Sequence, residues 1–545
     1  MKLWDFLGSH SDVSLPKVIT VAIISGLSNA LLLVIANSAA HSLTNQQVDV
    51  RMAILFVLAI VIYVLSQRWV LRIVSIEVEK IIERLRVRMS DKIRHADLQA
   101  IERIGRGQIY AGVNTETLTI SQTTPPLLLA AQGAMMVLFS LVYIFWLSPT
   151  AFFLTVAIIT AGVFVHFKNK QQLMSDLDRS TAKEGEFFDV LTHLLEGFKE
   201  VKIRSARSRE VYEHLQQIAA EVSGLKTKTA VRYADYYIIT QVLFYLLIGA
   251  MVFILPGMSQ VYSEQVTRLT SAILFIIGPL SMTVSVVPAF RAATHAVTNI
   301  GRLEDALDQA QQQAAERETG DGEAPPSFDA IEVRGVKFSY LDSDQRPLFT
   351  VGPLDFTLRQ GETVLIVGGN GSGKSTFLKL LTALYFPDQG DVLIDGIPAR
   401  TLGYRNYREL FSVIYSDYHL FERLYGINDV DNRRVFDLLR LMEIERKTTW
   451  QNGRFMNQDL STGQKKRLAL IVTLLEDRPI CIFDEWAADQ DPAFRKFFYE
   501  TLLPDLKRQG KTIICATHDD RYFHVGDRVL KMEMGQFVDF GGGTA

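Results

Sequence analysis

Six apolar stretches in the first 290 residues constrain this chain more than any other feature. Each stretch is 17 to 21 residues long. A helix of that length, rising about 1.5 Å per residue, crosses about 30 Å of hydrocarbon. The sequence therefore predicts six membrane-spanning helices, at residues 17–36, 53–70, 127–147, 151–167, 236–255 and 269–288.

The charges between these stretches predict how the chain is oriented. Nine Lys and Arg residues separate the second stretch from the third, and twelve separate the fourth from the fifth. The other three connections carry two in total. Since positively charged connections stay on the cytoplasmic side, both chain ends are predicted to be cytoplasmic. The two long connections exceed the length of a simple loop and show helical charge patterning, so we expect them to be cytoplasmic extensions of the spans.

We expect the first stretch to remain in the protein rather than to act as a cleaved signal peptide. Sixteen residues precede it, and they hold acidic as well as basic side chains. A signal peptide would begin with a purely basic segment and end at a stronger small-residue cleavage pattern.

Overall charge and cysteine content exclude two classes of protein. The 545 residues hold 57 Lys+Arg against 60 Asp+Glu, a net charge of −3. A broadly basic nucleic-acid binder is therefore excluded, and no nucleic-acid partner is expected. Cys481 and Cys515 lie in apolar strand-like runs. They predict reduced core residues in the cytosol and exclude a disulfide scaffold.

A change of composition after Arg302 marks the domain boundary. The sequence predicts a transmembrane domain at residues 1–304 and a polar linker at 305–327 that ends in Gly and Pro. From residue 328 to 545, apolar strand-like runs alternate with helical patterns. This alternation is typical of an α/β domain.

A glycine-rich loop in the second domain predicts a nucleotide site. Gly368-Gly-Asn-Gly-Ser-Gly-Lys-Ser375 matches G-x-x-x-x-G-K-[ST] between a strand-like run and a helical pattern. In such a loop, backbone N–H groups turn onto phosphate oxygens, Lys374 reaches the β- and γ-phosphates, and Ser375 ligates Mg²⁺. The predicted binding residues of this phosphate loop are Gly368, Asn370, Gly371, Ser372, Gly373, Lys374, Ser375 and Thr376.

Two adjacent acids predict the hydrolytic part of the site. Asp484 and Glu485 end the apolar run that begins at Pro479. A buried parallel strand would place both acids beside the nucleotide phosphates. We expect Asp484 to hold Mg²⁺ through water and Glu485 to polarise the attacking water.

The segment between these motifs resembles a family signature. Leu460-Ser-Thr-Gly-Gln-Lys-Lys-Arg-Leu468, here called the signature segment, is similar to the LSGGQ element of ATP-binding cassette (ABC) proteins. Asp489-Gln-Asp491 resembles the family's D-loop, His518 its switch histidine, and Tyr340 its adenine-stacking aromatic. Together with the phosphate loop and the acid pair, these motifs occur in the family's order.

The resemblance implies how nucleotide is bound. In this family the signature of one subunit faces the phosphate loop of another. Ser461, Gly463 and Gln464 would therefore contact ATP that is held by a partner, and His518 would act with Glu485 in hydrolysis. One cassette and six spans imply a homodimer with twelve spans and two shared ATP sites.

The chain departs from the family pattern in the loop that normally offers a Gln to Mg²⁺. Ser416 occupies that position, and we expect Asp417 to reach Mg²⁺ through water instead. The stretch from Ser416 to Leu460 is short for an exporter's helical subdomain. This predicts a reduced groove for docking the transmembrane domain.

The order of the parts resembles ABC exporters, with a six-helix transmembrane domain fused to a C-terminal α/β P-loop ATPase cassette. The strings LSTGQKKRLAL, FDEWAADQDP and THDDRYFH are similar to the subfamily that exports cyclic peptides and siderophores, of the pyoverdine, syringomycin and microcin type. Two connections, at residues 98–107 and 196–202, are predicted to couple the domains.

The predicted function is ATP-driven export of an amphipathic cyclic peptide or siderophore precursor across the bacterial inner membrane by alternating access. A lipid or lipid-linked flippase is a second interpretation. A non-transporting, ATP-dependent membrane sensor is a third, and the intact Glu485 and His518 argue against it, because a switch needs no water-activating acid.

Overall fold

The computed structural model describes residues 15–43, 50–168, 170–258, 263–317, 328–342, 344–427 and 430–539. The chain divides into two compact units, one of residues 1–87 and 110–302 and the other of residues 88–109 and 303–545. The second unit thus includes the tip of the first long connection. Residues 318–327 of the predicted linker lie outside the described residues.

The described residues before 318 are helical almost throughout. The α-helices are α1 (Leu15–Leu43), α2 (Val50–His95), α3 (Leu98–Ile104), α4 (Arg106–Tyr110), α5 (Thr117–Leu147), α6 (Pro149–Lys168), α7 (Lys170–Glu196), α8 (Phe198–Ile203), α9 (Ser205–Gly249), α10 (Leu255–Met258), α11 (Ser263–Ser285) and α12 (Val287–Arg317). Two π-helical segments, Ala111–Glu116 and Ala250–Ile254, join α4 to α5 and α9 to α10.

Five of the six predicted spans lie in continuous helical segments, and the sixth, 269–288, runs from α11 through a turn at Val286 into α12. Four helical stretches are long and apolar enough to cross a membrane, at residues 50–95, 106–147, 205–257 and 265–317. Shorter apolar helical stretches occupy residues 23–39 and 149–162. The crossing of the membrane by all six remains a prediction.

Helix α5 packs against α1, α6 and α11 in the first unit. At Gly133 of α5 the two helix backbones approach closely, since a Cβ there would lie 2.9 Å from the carbonyl oxygen of Pro279 in α11. The hydroxyl of Thr283 donates to that same carbonyl at 2.8 Å and to the carbonyl of Ala130 at 3.2 Å. A small residue at Gly133 is what permits this crossing.

The second unit holds the strands and the remaining helices. The strands are β1 (Ala330–Leu341), β2 (Pro347–Arg359), β3 (Thr363–Val367), β4 (Gln389–Ile394), β5 (Ile397–Pro398), β6 (Phe411–Ile414), β7 (Trp450–Gln451), β8 (Arg454–Phe455), β9 (Ile480–Asp484), β10 (Thr512–Ala516), β11 (Arg528–Glu533) and β12 (Gln536–Val538). The α-helices are α13 (Lys374–Leu381), α14 (Ala399–Leu402), α15 (Tyr404–Arg408), α16 (Asn432–Leu441), α17 (Thr462–Glu476), α18 (Pro492–Phe497) and α19 (Leu503–Arg508). Short 3₁₀ turns span Trp486–Asp489 and Asp520–Val525, and a π-helical segment spans Phe498–Leu502.

A six-stranded sheet in the order β12-β11-β3-β10-β9-β6 forms the centre of this unit. Strands β3, β9 and β10 are parallel and fully buried, which explains their unbroken apolar sequences. Because β10 lies between β3 and β9, Ala516 pairs with both Ile366 and Asp484. The phosphate loop and the acid pair therefore leave the same edge of the sheet.

The two cysteines lie inside this sheet, as the sequence indicates. Cys481 in β9 and Cys515 in β10 are both buried free thiols. Burial raises the pKa of each thiol to about 12. Both side chains are therefore unreactive core residues at neutral pH.

Helix α3 contains most of the first predicted coupling connection and packs within the second unit. The carboxylate of Glu102 accepts a 2.6 Å hydrogen bond from the hydroxyl of Tyr385, and the Lys379 ammonium lies 3.6 Å away. Leu98 packs against the apolar core.

In the first unit, the second predicted coupling connection overlaps α8, where Phe198 and Ile203 are exposed.

Candidate nucleotide-binding site

The phosphate loop has a backbone that its glycines require. Gly368, Gly371 and Gly373 have φ angles of 154°, 76° and 106°. Other residues rarely adopt such angles. At Gly368 there is also no room for a side chain, because a Cβ would lie 2.2 Å from the Met532 carbonyl oxygen. The loop lines a cleft of about 460 Å³ whose walls are Phe349, Asn370, Gly371, Ser372, Gly373, Lys374, Ser375, Thr376 and Glu485.

Lys374 begins α13 and is 4% exposed. Its ammonium donates to the carbonyls of Gly368 at 2.9 Å and Gly369 at 3.1 Å. It also lies 3.3 Å from Glu485 Oε1 and 3.3 Å from His518 Nε2. The structure thus brings the positive charge of the loop, the acid after β9 and the histidine after β10 to one point.

Glu485 and His518 contact each other directly, with 2.9 Å between Oε1 and Nε2. Burial alone would raise the pKa of Glu485, but the hydrogen bond with His518 and the charge of Lys374 outweigh it and lower the pKa. Glu485 is therefore a carboxylate at neutral pH, the form that can accept a proton from water.

The signature segment leads into α17 with Ser461 as its N-cap. The Ser461 hydroxyl accepts from the backbone N–H of Gln464, and the Gln464 side chain accepts from the backbone N–H of Ser461. This reciprocal pair is a capping box. Within the part of the chain that the structure describes, Ser461, Gly463 and Gln464 do not line the cleft beside the phosphate loop.

The aromatic wall of the cleft is Phe349 rather than Tyr340. The two residues pair across β1 and β2. The Tyr340 ring packs against Phe338 and Tyr385, and its hydroxyl lies 3.1 Å from the Thr376 hydroxyl. Tyr340 therefore contacts the site through Thr376, and stacking of its ring on adenine remains a prediction.

Comparison with known proteins identifies the family. The model of the ABC transporter family matches residues 351–488, and that of the ABC transporter transmembrane region matches residues 15–280. The ATP-binding protein SyrD of Pseudomonas syringae pv. syringae is 32% identical over 550 residues, which cover 98% of this chain and 95% of SyrD. The chain belongs to the ABC exporter family.

Other relatives of the exporter are more distant. An ATP-dependent lipid A-core flippase of Haemophilus ducreyi is 24% identical over 494 residues, covering 85% of this chain and 80% of the flippase. A solved structure of a bacterial Atm1-family ABC exporter with ATP bound matches with a TM-score of 0.76 at 20% identity, covering 97% and 95% of the two chains. The exporter therefore has the fold of that Atm1-family structure. The family match and the similarity to SyrD show that it is an ATP-hydrolysing transporter.

The exporter's site fits Mg²⁺. Asp484 is buried, and among the described residues its Oδ1 has no hydrogen-bond partner. Burial raises the pKa of Asp484, and hydrogen bonds from Ser375 and Ser416 act in the opposite direction. Mg²⁺ in nucleotide sites is typically held by one or two carboxylates together with substrate phosphates and water, so Asp484 and the hydroxyl of Ser375 are the residues that would hold it here. Asp417 is exposed, and its water-mediated role remains a prediction.

Two residues at the exporter's site were not predicted from the sequence. Phe349 lies in a strand whose apolar pattern indicates only packing, so no sequence signal marked it. Lys466 lies in the signature segment, and its ammonium donates to the backbone carbonyl of Glu485 at 2.7 Å. A lysine next to a helical apolar run usually indicates an exposed charge, whereas this one is 5% exposed.

Proposed function

We propose that two copies of this exporter assemble in the bacterial inner membrane and use ATP to export an amphipathic cyclic peptide or siderophore precursor. Both chain ends would face the cytoplasm, and the helices would alternate between inward- and outward-open arrangements. Similarity to SyrD along 98% of the chain supports the peptide interpretation. The strings that resemble the peptide and siderophore export subfamily agree with that alignment.

The contact among Lys374, Glu485 and His518 is the observation that carries the proposed mechanism. Backbone N–H groups of the phosphate loop and the ammonium of Lys374 would bind the phosphates. Glu485 would orient a water molecule and accept its proton. His518 would hold the Glu485 carboxylate in place. Bound Mg²⁺, held by Ser375 and Asp484, would neutralise phosphate charge.

The requirement for two copies follows from the signature segment. Ser461 is exposed at the N-terminus of α17, where backbone N–H groups favour an anion. This helix end does not line the described cleft of its own chain. A second copy would supply its signature segment to the cleft and complete each ATP site.

Helix α3 supports coupling between the membrane spans and the ATPase cassette. Glu102 binds Tyr385 and Lys379, and Lys379 belongs to α13, the helix that begins at the phosphate-binding lysine. Movement of α13 on nucleotide binding would thereby reach the end of α2 through α3.

A lipid or lipid-linked flippase is a second candidate function. Similarity to the lipid A-core flippase over 85% of the chain favours it. At 24% identity that relationship is more distant than the one with SyrD.

Transport into inside-out membrane vesicles tests the cargo. Vesicles that contain the exporter are given ATP and either a fluorescent cyclic lipopeptide of the syringomycin type or a fluorescent lipid A-core. ATP-dependent uptake of the lipopeptide, absent in vesicles with Glu485→Gln, supports peptide export. Flipping of lipid A-core without lipopeptide uptake would replace the proposal with the flippase function.

A further inference from the structure

Lys466 is a buried charge in the first turns of α17. Its ammonium donates to the carbonyl oxygen of Glu485 at 2.7 Å and pairs with Asp489 Oδ2 at 2.8 Å. Its own carbonyl accepts a 2.8 Å hydrogen bond from the indole N–H of Trp486. One residue of the signature segment therefore binds three residues of the segment that follows β9. Burying an ammonium is costly unless such partners compensate it.

The backbone of Glu485 needs this support. Glu485 has φ 51° and ψ 35°, in the left-handed region. For a residue other than glycine this conformation is strained and persists only where its surroundings impose it. The Glu485 N–H donates to the carbonyl of Ala516 at 3.0 Å. The Glu485 carbonyl accepts a long 3.4 Å bond from the N–H of Ala488, so the ammonium of Lys466 is its strong donor.

The segment from residue 485 to 491 is fixed to α17 at its far end as well. The side chain of Gln490 donates to the carbonyl of Gly463 at 3.0 Å, and a Cβ on Gly463 would lie 2.7 Å from the carbonyl oxygen of Asp489. Arg467 binds Asp491 at 2.6 Å. Lys466 therefore contacts the near end of a segment whose far end is fixed to the same helix.

We propose that Lys466, paired with Asp489, is a positioning residue for ATP hydrolysis that holds the Glu485 backbone in the conformation which directs its carboxylate at His518 and Lys374. This inference rests on the proposed role of Glu485 as the base. Without the ammonium, the Glu485 backbone would relax toward an ordinary conformation and rotate the carboxylate away. Binding of ATP by the phosphate loop would be unaffected, because Lys466 does not line that cleft.

Steady-state ATPase kinetics of the full chain in lipid nanodiscs test the proposal. Lys466→Met keeps the length and apolar packing of the side chain but removes the charge. We expect kcat to fall about tenfold or more, with KM for ATP within about twofold of wild type. Lys496→Met is the matched control, since Lys496 is an exposed lysine of α18 that lies outside the signature segment and does not line the cleft, and the same change should leave both constants unchanged. Lys466→Arg, which keeps a donor and a charge, should recover part of the lost kcat.

Asp489→Asn is a second, milder variant. It changes the ion-pair partner of Lys466 and leaves the buried lysine itself in place. The side chain of Asp489 is 47% exposed, so the protein should fold normally. We expect kcat to fall about threefold with KM unchanged. The proposal is overturned if both Lys466→Met and Asp489→Asn keep the wild-type kcat. If Lys466→Met does not fold, a wild-type kcat in Asp489→Asn alone overturns it.

Glu485→Gln separates this inference from the function on which it rests. If Glu485→Gln hydrolyses ATP at the wild-type rate, Glu485 is not the base and both proposals fail. If Glu485→Gln is inactive while Lys466→Met is fully active, only the positioning role fails. In the Glu485→Gln background, Lys466→Met should retain bound ATP as well as the single variant. Loss of retained ATP would mean that Lys466 supports the fold rather than the orientation of Glu485.

Discussion

Glu485 is the residue on which the proposed chemistry depends most. Glu485→Gln removes the carboxylate that accepts the proton but keeps the shape of the side chain. We expect turnover to fall by roughly 10²–10⁴-fold, the usual contribution of a general base. ATP binding should persist, because the phosphate loop and Lys374 are unchanged. Phosphate release measures turnover, and retained radiolabelled ATP measures binding on the same purified sample. Wild-type turnover would show that Glu485 is not the general base.

At the level of single residues, the sequence was most informative where spacing dictates chemistry. The phosphate loop, Glu485 and His518 follow a fixed pattern relative to three strands, and the structure places them at one sheet edge. Phe349 and Lys466 could not be predicted in the same way. Their roles arise from strand pairing and from the contacts of a buried lysine, which connect residues that are not neighbours in sequence.

Helices α5 and α11 cross at a contact that a methyl group would disrupt. Gly133→Ala would place a Cβ 2.9 Å from the backbone carbonyl of Pro279, which cannot move aside like a flexible side chain. Overpacking of this kind typically costs about 1–3 kcal/mol. We expect Gly133→Ala to lower the thermal unfolding temperature of the detergent-purified protein.

Gly249→Ala is the matched control for this crossing. Gly249 lies at the end of α9 within another apolar stretch and is not followed by proline, and a Cβ there meets nothing within 4 Å among the described residues. The same substitution should therefore leave the unfolding temperature unchanged or raise it, since alanine favours a helix. Equal unfolding temperatures for the two variants would show that the crossing relaxes at no cost.

Helix α3 provides a test of coupling. Glu102→Gln removes a charge that binds Tyr385 and Lys379 without altering the nucleotide cleft. We expect ATPase activity to stay near wild type while lipopeptide uptake into vesicles falls by roughly tenfold, about the effect of one lost charged hydrogen bond. Arg103→Gln, at an exposed position one residue further along, is the control. Equal losses of ATPase activity and uptake in Glu102→Gln would contradict a coupling role.

The elements themselves were largely predictable. The six apolar stretches are helical almost throughout because their length and composition leave the backbone few other ways to satisfy its hydrogen bonds. The short helices α3 and α8 and the two π-helical segments were not predicted, because packing, rather than a repeating apolar pattern, determines where the long helices bend.

The proposed dimer makes a prediction about mixed molecules. Lys374→Ala damages the phosphate loop, and Ser461→Ala damages the signature segment, so each homodimer should have two defective sites. A mixed dimer concentrates both defects in one site and leaves the other intact. Co-expression of the two variants should therefore restore ATPase activity and uptake that neither variant shows alone. No recovery in dimers purified through two different tags would mean that each ATP site is built within one chain.

At the scale of the whole molecule, the sequence indicated a membrane half and an ATPase half. The structure adds that residues 88–109 pack with the ATPase half, although they lie between two membrane stretches. The sequence predicted a coupling connection at residues 98–107, but the extent of the segment that packs with the ATPase half depends on contacts such as that between Glu102 and Tyr385.

Burial of Cys481 and Cys515 makes the native exporter a ready-made background for distance spectroscopy. Neither thiol is available to a maleimide or methanethiosulfonate reagent at neutral pH. A single cysteine introduced on the surface, for instance at the exposed Lys496, would be labelled selectively without first replacing the native pair. In the proposed dimer, spin labels on the two copies would then report the separation of the cassettes through each cycle of ATP turnover.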